Sequence, residues 1–228
     1  MRVAVIGGSS SIGGELLEVL AARGDSILAT YCKTPVAAAP AVSPVRLDLR
    51  DEESIAGFAE TARAYGKLDA AVLLAAVLPG KALADYPPAL LHEVMEVNVT
   101  AQARLVQALL PGMAAGGQMI LMSSISGTEG SFDPIYAASK AALIGLMKSL
   151  ARWHGKEVRF NCLAPSLVEG SAMYLAMSAE RRRHHLGRSP TGALLTMRDL
   201  ARVIADLTAP HWRHLNGAVL ALDGGSRP

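Results

Sequence analysis

Alternation is the feature that most constrains this chain. Short apolar runs alternate with longer amphipathic segments along nearly all of its 228 residues. Residues 3–6 (Val-Ala-Val-Ile) read as a strand, and residues 12–22 as a helix with apolar positions at helical spacing. Residues 27–31 and 45–47 read as the next two strands. Asp51-Glu52-Glu53 then marks a helix start, because acids offset the positive end of the helix dipole. Residues 70–76 are apolar throughout, as a strand buried on both faces should be. A long helix is expected over 87–110, a strand over 119–122 and another long helix over 135–153. Residues 158–162 and 218–222 supply the last strands. The pattern predicts an α/β fold, a Rossmann-type doubly wound parallel sheet of about seven strands with helices on both faces.

No linker divides the chain, and the Ala/Pro-rich stretch 36–44 is too short to be one. Residues 1–228 are therefore expected to form one domain. Residues 169–196 fit the alternation least and are expected to form a helical flap or loop. A formal charge of +2 exerts no general pull on nucleic acid or anionic membrane. Cys32 and Cys162 are too far apart in sequence to form a disulfide framework or metal cluster by themselves, so they read as reduced thiols in the cytoplasm. No apolar stretch reaches the ~18 residues of a membrane span. The first apolar run also ends well short of a secretory signal.

The first strand runs into Gly7-Gly8-Ser9-Ser10-Ser11-Ile12-Gly13 and then a helix. Such a turn lets backbone N–H groups meet a pyrophosphate at the positive helix end. Gly7 permits the tight turn and Gly13 lets helix and strand pack closely. Ordinary loops also hold Gly/Ser clusters, so the weight comes from the position after the first strand. The second strand ends in Thr30-Tyr31-Cys32-Lys33, without the acid that NAD-preferring sites use on the ribose. Lys33 is placed to pair with a 2′-phosphate, which favours NADP(H) over NAD(H). A solvated loop lysine is the plain alternative.

Tyr136 and Lys140 lie four apart at the start of a long helix and so share a face. A free phenol titrates near ~10, and a neighbouring cation lowers that value, which suits general acid–base work. Alone, Tyr-x-x-x-Lys is more often just an exposed helix face.

Taken in order along the chain, the motifs resemble the short-chain dehydrogenase/reductase family over essentially its whole length. The Gly-rich turn comes first. Asp48, followed by Leu49, stands after the third strand, where the family's adenine-contacting acid sits. Asn98 lies in Val97-Asn98-Val99, and Ser123-Ser124-Ile125-Ser126-Gly127 follows the fifth strand. Tyr136 and Lys140 come next, then Asn161-Cys162-Leu163-Ala164-Pro165 and Leu222-Asp223-Gly224-Gly225. The resemblance implies that Tyr136 protonates a carbonyl oxygen as hydride arrives from the nicotinamide. Ser124 would hydrogen-bond that oxygen; it is preferred to Ser123 because residues 125–127 match the family's continuation. Lys140 would bind the nicotinamide ribose and depress the Tyr136 pKa, and Asn98 would hold a water linking Lys140 to solvent. Read without the rest, Ser124 is a strand-end hydroxyl and Asn98 a helix-kink hydrogen bond. The implied cofactor wall comprises Gly7, Ser9, Ser10, Ser11, Ile12, Gly13, Tyr31, Lys33, Asp48, Leu49, Ala75, Tyr136, Lys140, Pro165 and, through its backbone, Val168.

The chain departs from the family pattern at several points. Ser11 replaces the second turn glycine, and Leu73-Leu74-Ala75-Ala76 replaces Asn-Asn-Ala-Gly. Pro165-Ser166 replaces Pro-Gly, and Gly170 falls where a threonine normally meets the nicotinamide amide, with Ser171 beside it. Arg181-Arg182-Arg183-His184-His185 reads first as a solvated helix face, and alternatively as a surface for an acidic carrier protein or coenzyme A phosphates. It is too short, and too poor in stacking aromatics, for a nucleic-acid surface. His211 and His214 lie three apart, yet no nearby Cys or acid completes a metal site. Without a Gly-x-Ser-x-Gly elbow, Ser124 is not an evident hydrolase nucleophile.

The resulting expectation is a cytoplasmic NADP-dependent carbonyl reductase, with 3-oxoacyl thioesters on an acyl carrier protein as the substrate class the pattern most resembles. Two alternatives stand beside it: turnover of a small free ketone or alcohol, and a dinucleotide-binding regulator that has lost turnover. Family members pair their long helices. The apolar face of Ala141, Leu143, Ile144 and Met147 would permit a homodimer or homotetramer here, although core packing produces the same pattern.

Overall fold

The computed structural model describes residues 1–226. Seven parallel strands form its main sheet: β1 (Arg2–Ile6), β2 (Ser26–Tyr31), β3 (Val42–Arg46), β4 (Leu68–Leu73), β5 (Met113–Met122), β6 (Val158–Pro165) and β9 (Val219–Leu222). Their order is β3-β2-β1-β4-β5-β6-β9. The chain moves outward from β1 to β3, then returns across β1 to build the other half. The order thus reverses between β1 and β4, which opens a crevice at the carboxyl ends of those strands.

Alternate side chains of β1 explain its uninterrupted apolar run. Val3 and Val5 face α1 (Ser11–Ala22) and α9 (Met197–Leu207), in a core with Leu16, Leu20, Ile120 and Ile204. Ala4 and Ile6 face the opposite layer, α2 (Glu52–Tyr65), α4 (Ala101–Leu109) and α6 (Pro134–His154), in a core with Phe58, Leu105, Met147 and Phe160. Each fully buried Leu or Phe there contributes about 1.5–3 kcal/mol of transfer free energy. Leu143 and Met147 of α6 belong to this second core, which leaves only exposed Ala141 and half-buried Ile144 of the expected pairing face toward the surface.

Several element boundaries differ from the sequence-based expectation: β3 starts three residues early, β6 runs three residues longer, and three other differences reshape the site. The helix expected over 87–110 is split into α3 (Pro88–Met95), a π-helical turn (Glu96–Thr100) and α4. The interruption centres on Asn98, whose side chain bonds outward to Val77 and Ser139. A widened turn of this kind is a common device at functional sites. Strand β4 stops at Leu73, not at residue 76, because the N–H groups of both Leu74 and Ala75 converge on the Ile6 carbonyl and the chain turns away. Strand β5 begins six residues early, with a register shift against β4. Residues 169–196 hold two short helices, α7 (Ala172–Ala176) and α8 (Ala179–Gly187). A two-stranded parallel ribbon, β7 (Val168–Glu169) with β8 (Leu195–Thr196), brackets them. A four-residue helix, α5 (Ser126–Glu129), joins β5 to the segment before α6.

Candidate active site

The turn after β1 is shaped by its own residues. Gly7 adopts φ +93°, and a Cβ there would sit 3.0 Å from the backbone nitrogen of Ala75. A Cβ on Gly13 would come within 2.8 Å of Gly8 Cα, so only glycine lets α1 start this close to β1. Ser10 is spent on the turn: its hydroxyl donates to the Gly7 carbonyl (2.8 Å) and accepts from Gly13 N–H (3.0 Å) as the helix N-cap. Ser9 and Ser11 are exposed, so solvent accommodates the Ser11 side chain, and α1 has no acid in its first turn. An open helix N-terminus without a nearby acid, lined by glycine backbone at the switch point, fits a pyrophosphate. On its far side Ala75 is held by Gln102, whose Nε2 donates to the Ala75 carbonyl at 2.9 Å.

At the other end of the crevice, Tyr31 and Cys32 are half-buried and Lys33 is exposed. Arg50, which sequence reasoning missed, joins them. Its Nε and Nη2 donate to both oxygens of Asp48 at 2.9 and 2.8 Å, and Nη2 lies 4.0 Å from Cys32 Sγ. This guanidinium holds the Asp48 carboxyl at about 2. Asp48, the acid expected on the adenine side, is thus a fixed anion already paired with a cation. Leu49 between them is buried.

Three expected catalytic side chains meet at the ends of β5 and α6. Ser123 and Ser124 part company there: the Ser123 hydroxyl donates to the Lys140 carbonyl (2.8 Å), whereas Ser124 hydrogen-bonds the Tyr136 phenol. Gly127 makes this approach possible, since a Cβ there would lie 2.7 Å from the Lys140 backbone. Lys140 is buried, with Nζ 5.5 Å from the Tyr136 ring centroid and donating to the Met122 carbonyl at 2.7 Å. Two of its three N–H donors remain for other partners.

The sequence argument has Lys140 lowering the Tyr136 pKa. The structure reverses the net sign: burial pushes the phenol up to about 12, the Ser124 hydrogen bond opposes this, and the Asp133 charge adds to it. Burial also lowers Lys140 to about 8. Asn98 is fully buried, and its side chain bonds Val77 N–H (2.7 Å), the Val77 carbonyl (2.9 Å) and Ser139 Oγ (3.0 Å). Both amide protons are therefore spent on protein groups, so Asn98 ties the loop after β4 to α6.

Pro165, the last residue of β6, and Val168, the first of β7, are both buried. The Pro165 carbonyl accepts from Ile125 N–H and the Val168 carbonyl from Ser171 N–H, each at 3.2 Å. Gly170 takes φ +79°, and Ser171 caps α7. The basic run lies on α8: Arg181 stacks over Phe132 at 5.3 Å, and Arg182 over Tyr174 at 4.5 Å. His211 faces Asp206, an acid five residues earlier that the sequence reading passed over, at 3.5 Å, yet no group of three ligating side chains forms among the described residues.

A family model described as enoyl-(acyl carrier protein) reductase matches residues 7–227. The 3-oxoacyl-(acyl-carrier-protein) reductase FabG of Escherichia coli (strain K12) is 31% identical over 234 residues, covering 97% of this chain and 95% of that protein. A short-chain dehydrogenase/reductase from Brucella melitensis superposes with TM-score 0.93 at 20% identity, covering 100% of this chain and 96% of its own, a likeness of fold alone. A short-chain dehydrogenase from Burkholderia cenocepacia J2315 in complex with NADP has TM-score 0.88 at 27% identity, covering 99% of this chain and 97% of its own. The chain belongs to the short-chain dehydrogenase/reductase family and is an NAD(P)-dependent oxidoreductase.

Proposed function

We propose that this protein is an NADP(H)-dependent carbonyl reductase acting on 3-oxoacyl thioesters presented by an acyl carrier protein. The observation that carries the reductase reading is the buried Ser124–Tyr136–Lys140 group beside the Gly-rich turn at the switch point. When bound, the nicotinamide supplies the hydride. Tyr136, kept protonated far above neutral pH, gives its phenolic proton to the substrate's carbonyl oxygen. Ser124, the side chain that hydrogen-bonds this phenol, is in reach of the same oxygen. Lys140, still cationic at neutral pH, stabilises the phenolate left behind.

The thioester class is supported by the FabG relative, whose name specifies that substrate, and by the basic helix α8 as a surface for an acidic carrier. NADP(H) is supported by exposed Lys33, by Arg50 beside Cys32, by the lack of an acid at the end of β2, and by the NADP in the Burkholderia structure. We further infer a cytoplasmic homodimer or homotetramer; no helix among the described residues is long and apolar enough to cross a membrane.

The test is NADPH oxidation with a short 3-oxoacyl thioester, with NADH and a Tyr136→Phe variant measured alongside. Turnover should prefer NADPH and fall by at least about 10²-fold in the variant, the usual scale of a lost general acid. Bound NADPH with turnover only of free ketones would replace the substrate class. Bound NADPH without turnover of any carbonyl would replace the enzyme reading with a regulatory one.

A further inference from the structure

Asp133 carries more than a helix cap requires. It is 3% exposed and starts α6, three residues before Tyr136. One carboxylate oxygen accepts from Tyr136 N–H at 2.9 Å, which is the cap, and from the Tyr86 hydroxyl at 2.6 Å. The other accepts only from the loop after β4, from Gly80 N–H at 2.8 Å and Lys81 N–H at 3.3 Å. No cation forms an ion pair with Asp133 among the described residues, so backbone dipoles and a phenol alone compensate its buried charge. A second tether holds the start of the same loop: Val77 is fixed by Asn98, which also bonds Ser139. The two tethers thus reach α6 on either side of Tyr136, three residues before it and three after. Between them the loop carries Leu78 and Leu83, which are 37% and 62% exposed. Phe132, the residue before Asp133, is 59% exposed.

We propose that Asp133 is a positioning residue for the reaction: it clamps residues 78–86 to the first turn of α6, holding an apolar wall one helical turn from Tyr136 for the acyl portion of the substrate. This rests on the reading of Tyr136 as the proton donor. The clamp has a second effect. The neighbours of the phenol are Asp133 before it and Lys140 after it on α6, the Ser124 hydroxyl just beyond β5, and Tyr86 through Asp133. The Asp133 charge disfavours phenolate, so Tyr136 stays an acid to higher pH.

Asp133→Asn keeps a cap acceptor but loses the charge and weakens the loop contacts; Tyr86→Phe removes one loop contact and leaves the charge. Amide hydrogen exchange over 78–87 needs no substrate and should quicken about tenfold or more in Asp133→Asn, the scale of a lost charge-assisted hydrogen bond. With the 3-oxoacyl thioester, KM should rise about tenfold while kcat falls less and NADPH affinity stays within about twofold. The alkaline limb of kcat against pH should move to lower pH in Asp133→Asn and stay in place in Tyr86→Phe, which shares the KM increase. Unchanged exchange over 78–87 together with unchanged KM would overturn the proposal. So would a parallel loss of melting temperature, NADPH affinity and kcat without a KM effect. Tyr136→Phe is run as a separate arm: if it kept full turnover the acid assignment would fall, and the clamp would stand or fall on exchange and KM alone.

Discussion

Lys140 has a cost that can be measured. Its ammonium is buried, donates to the Met122 carbonyl and forms no ion pair among the described residues, and burial lowers its pKa from 10.5 to about 8. Below that lower value both folded and unfolded chains bind the proton, and the full burial cost opposes folding. Between the two values the folded state releases the proton and the unfolded state keeps it, so stability rises with pH. Tyr136 acts in the opposite sense, but at higher pH. Its phenol is raised from 10.0 to about 12, so its contribution falls as pH climbs through that window. In Lys140→Met the lysine contribution is absent. Urea unfolding at about pH 7.5 and about pH 9.5 should show the unaltered protein gaining about 1–2 kcal/mol relative to the variant. A pH-independent difference would mean that Lys140 is better solvated than its burial implies. At the same scale, the pair Ser123-Ser124 shows why adjacent hydroxyls differ: successive residues at a strand end point opposite ways, one to the Lys140 backbone and one to the Tyr136 phenol.

Among the elements, the π turn is the joint on which the site depends. A regular helix over 87–110 satisfies the apolar period of that stretch, and the sequence reads that way. Asn98 pulls the segment out of it by bonding a loop 21 residues earlier and a helix 41 residues later. Asn98→Ala would leave Val77 N–H, the Val77 carbonyl and Ser139 without these partners. A stability loss of about 2–4 kcal/mol is expected, from three hydrogen bonds of which some are replaced by water. Turnover should fall as well, because the loop after β4 loses its anchor to α6, which carries the proposed proton donor Tyr136. Denaturant unfolding checks the first effect and NADPH oxidation the second. A variant with wild-type stability would show that the π turn holds itself without the amide.

For the whole molecule, the relation between residues 169–196 and the sheet is set from the C-terminal side. Gly224, with φ +63°, lies so close to Thr191 that a Cβ would come within 2.6 Å of its hydroxyl, and its carbonyl accepts from Thr191 N–H at 3.3 Å. Gly225 packs against Pro190. Gly224→Ala would force these two segments apart at a local strain of about 1–3 kcal/mol. Limited proteolysis within 172–191 should then quicken several-fold while the global unfolding midpoint moves little, since the two cores lie on the faces of the sheet. Equal cleavage rates in variant and parent would argue that this contact does not hold the segment.

The sequence by itself determined the layered α/β architecture, the glycine turn after β1 and the shared helix face of Tyr136 and Lys140. These follow from periodicity, glycine conformational freedom and helix-face spacing, all of which act over a few residues. Only the tertiary structure decided what those residues experience. Whether Tyr136 titrates above or below an ordinary phenol depends on burial by distant strands and helices. That Asp133 collects Gly80 and Tyr86, 53 and 47 residues away, depends on how the loop after β4 folds back. Arg50 reaches Cys32, 18 residues earlier, because β2 and β3 end side by side. Desolvation and long-range contact are properties of the packed chain, and they leave no local mark in the sequence that produces them.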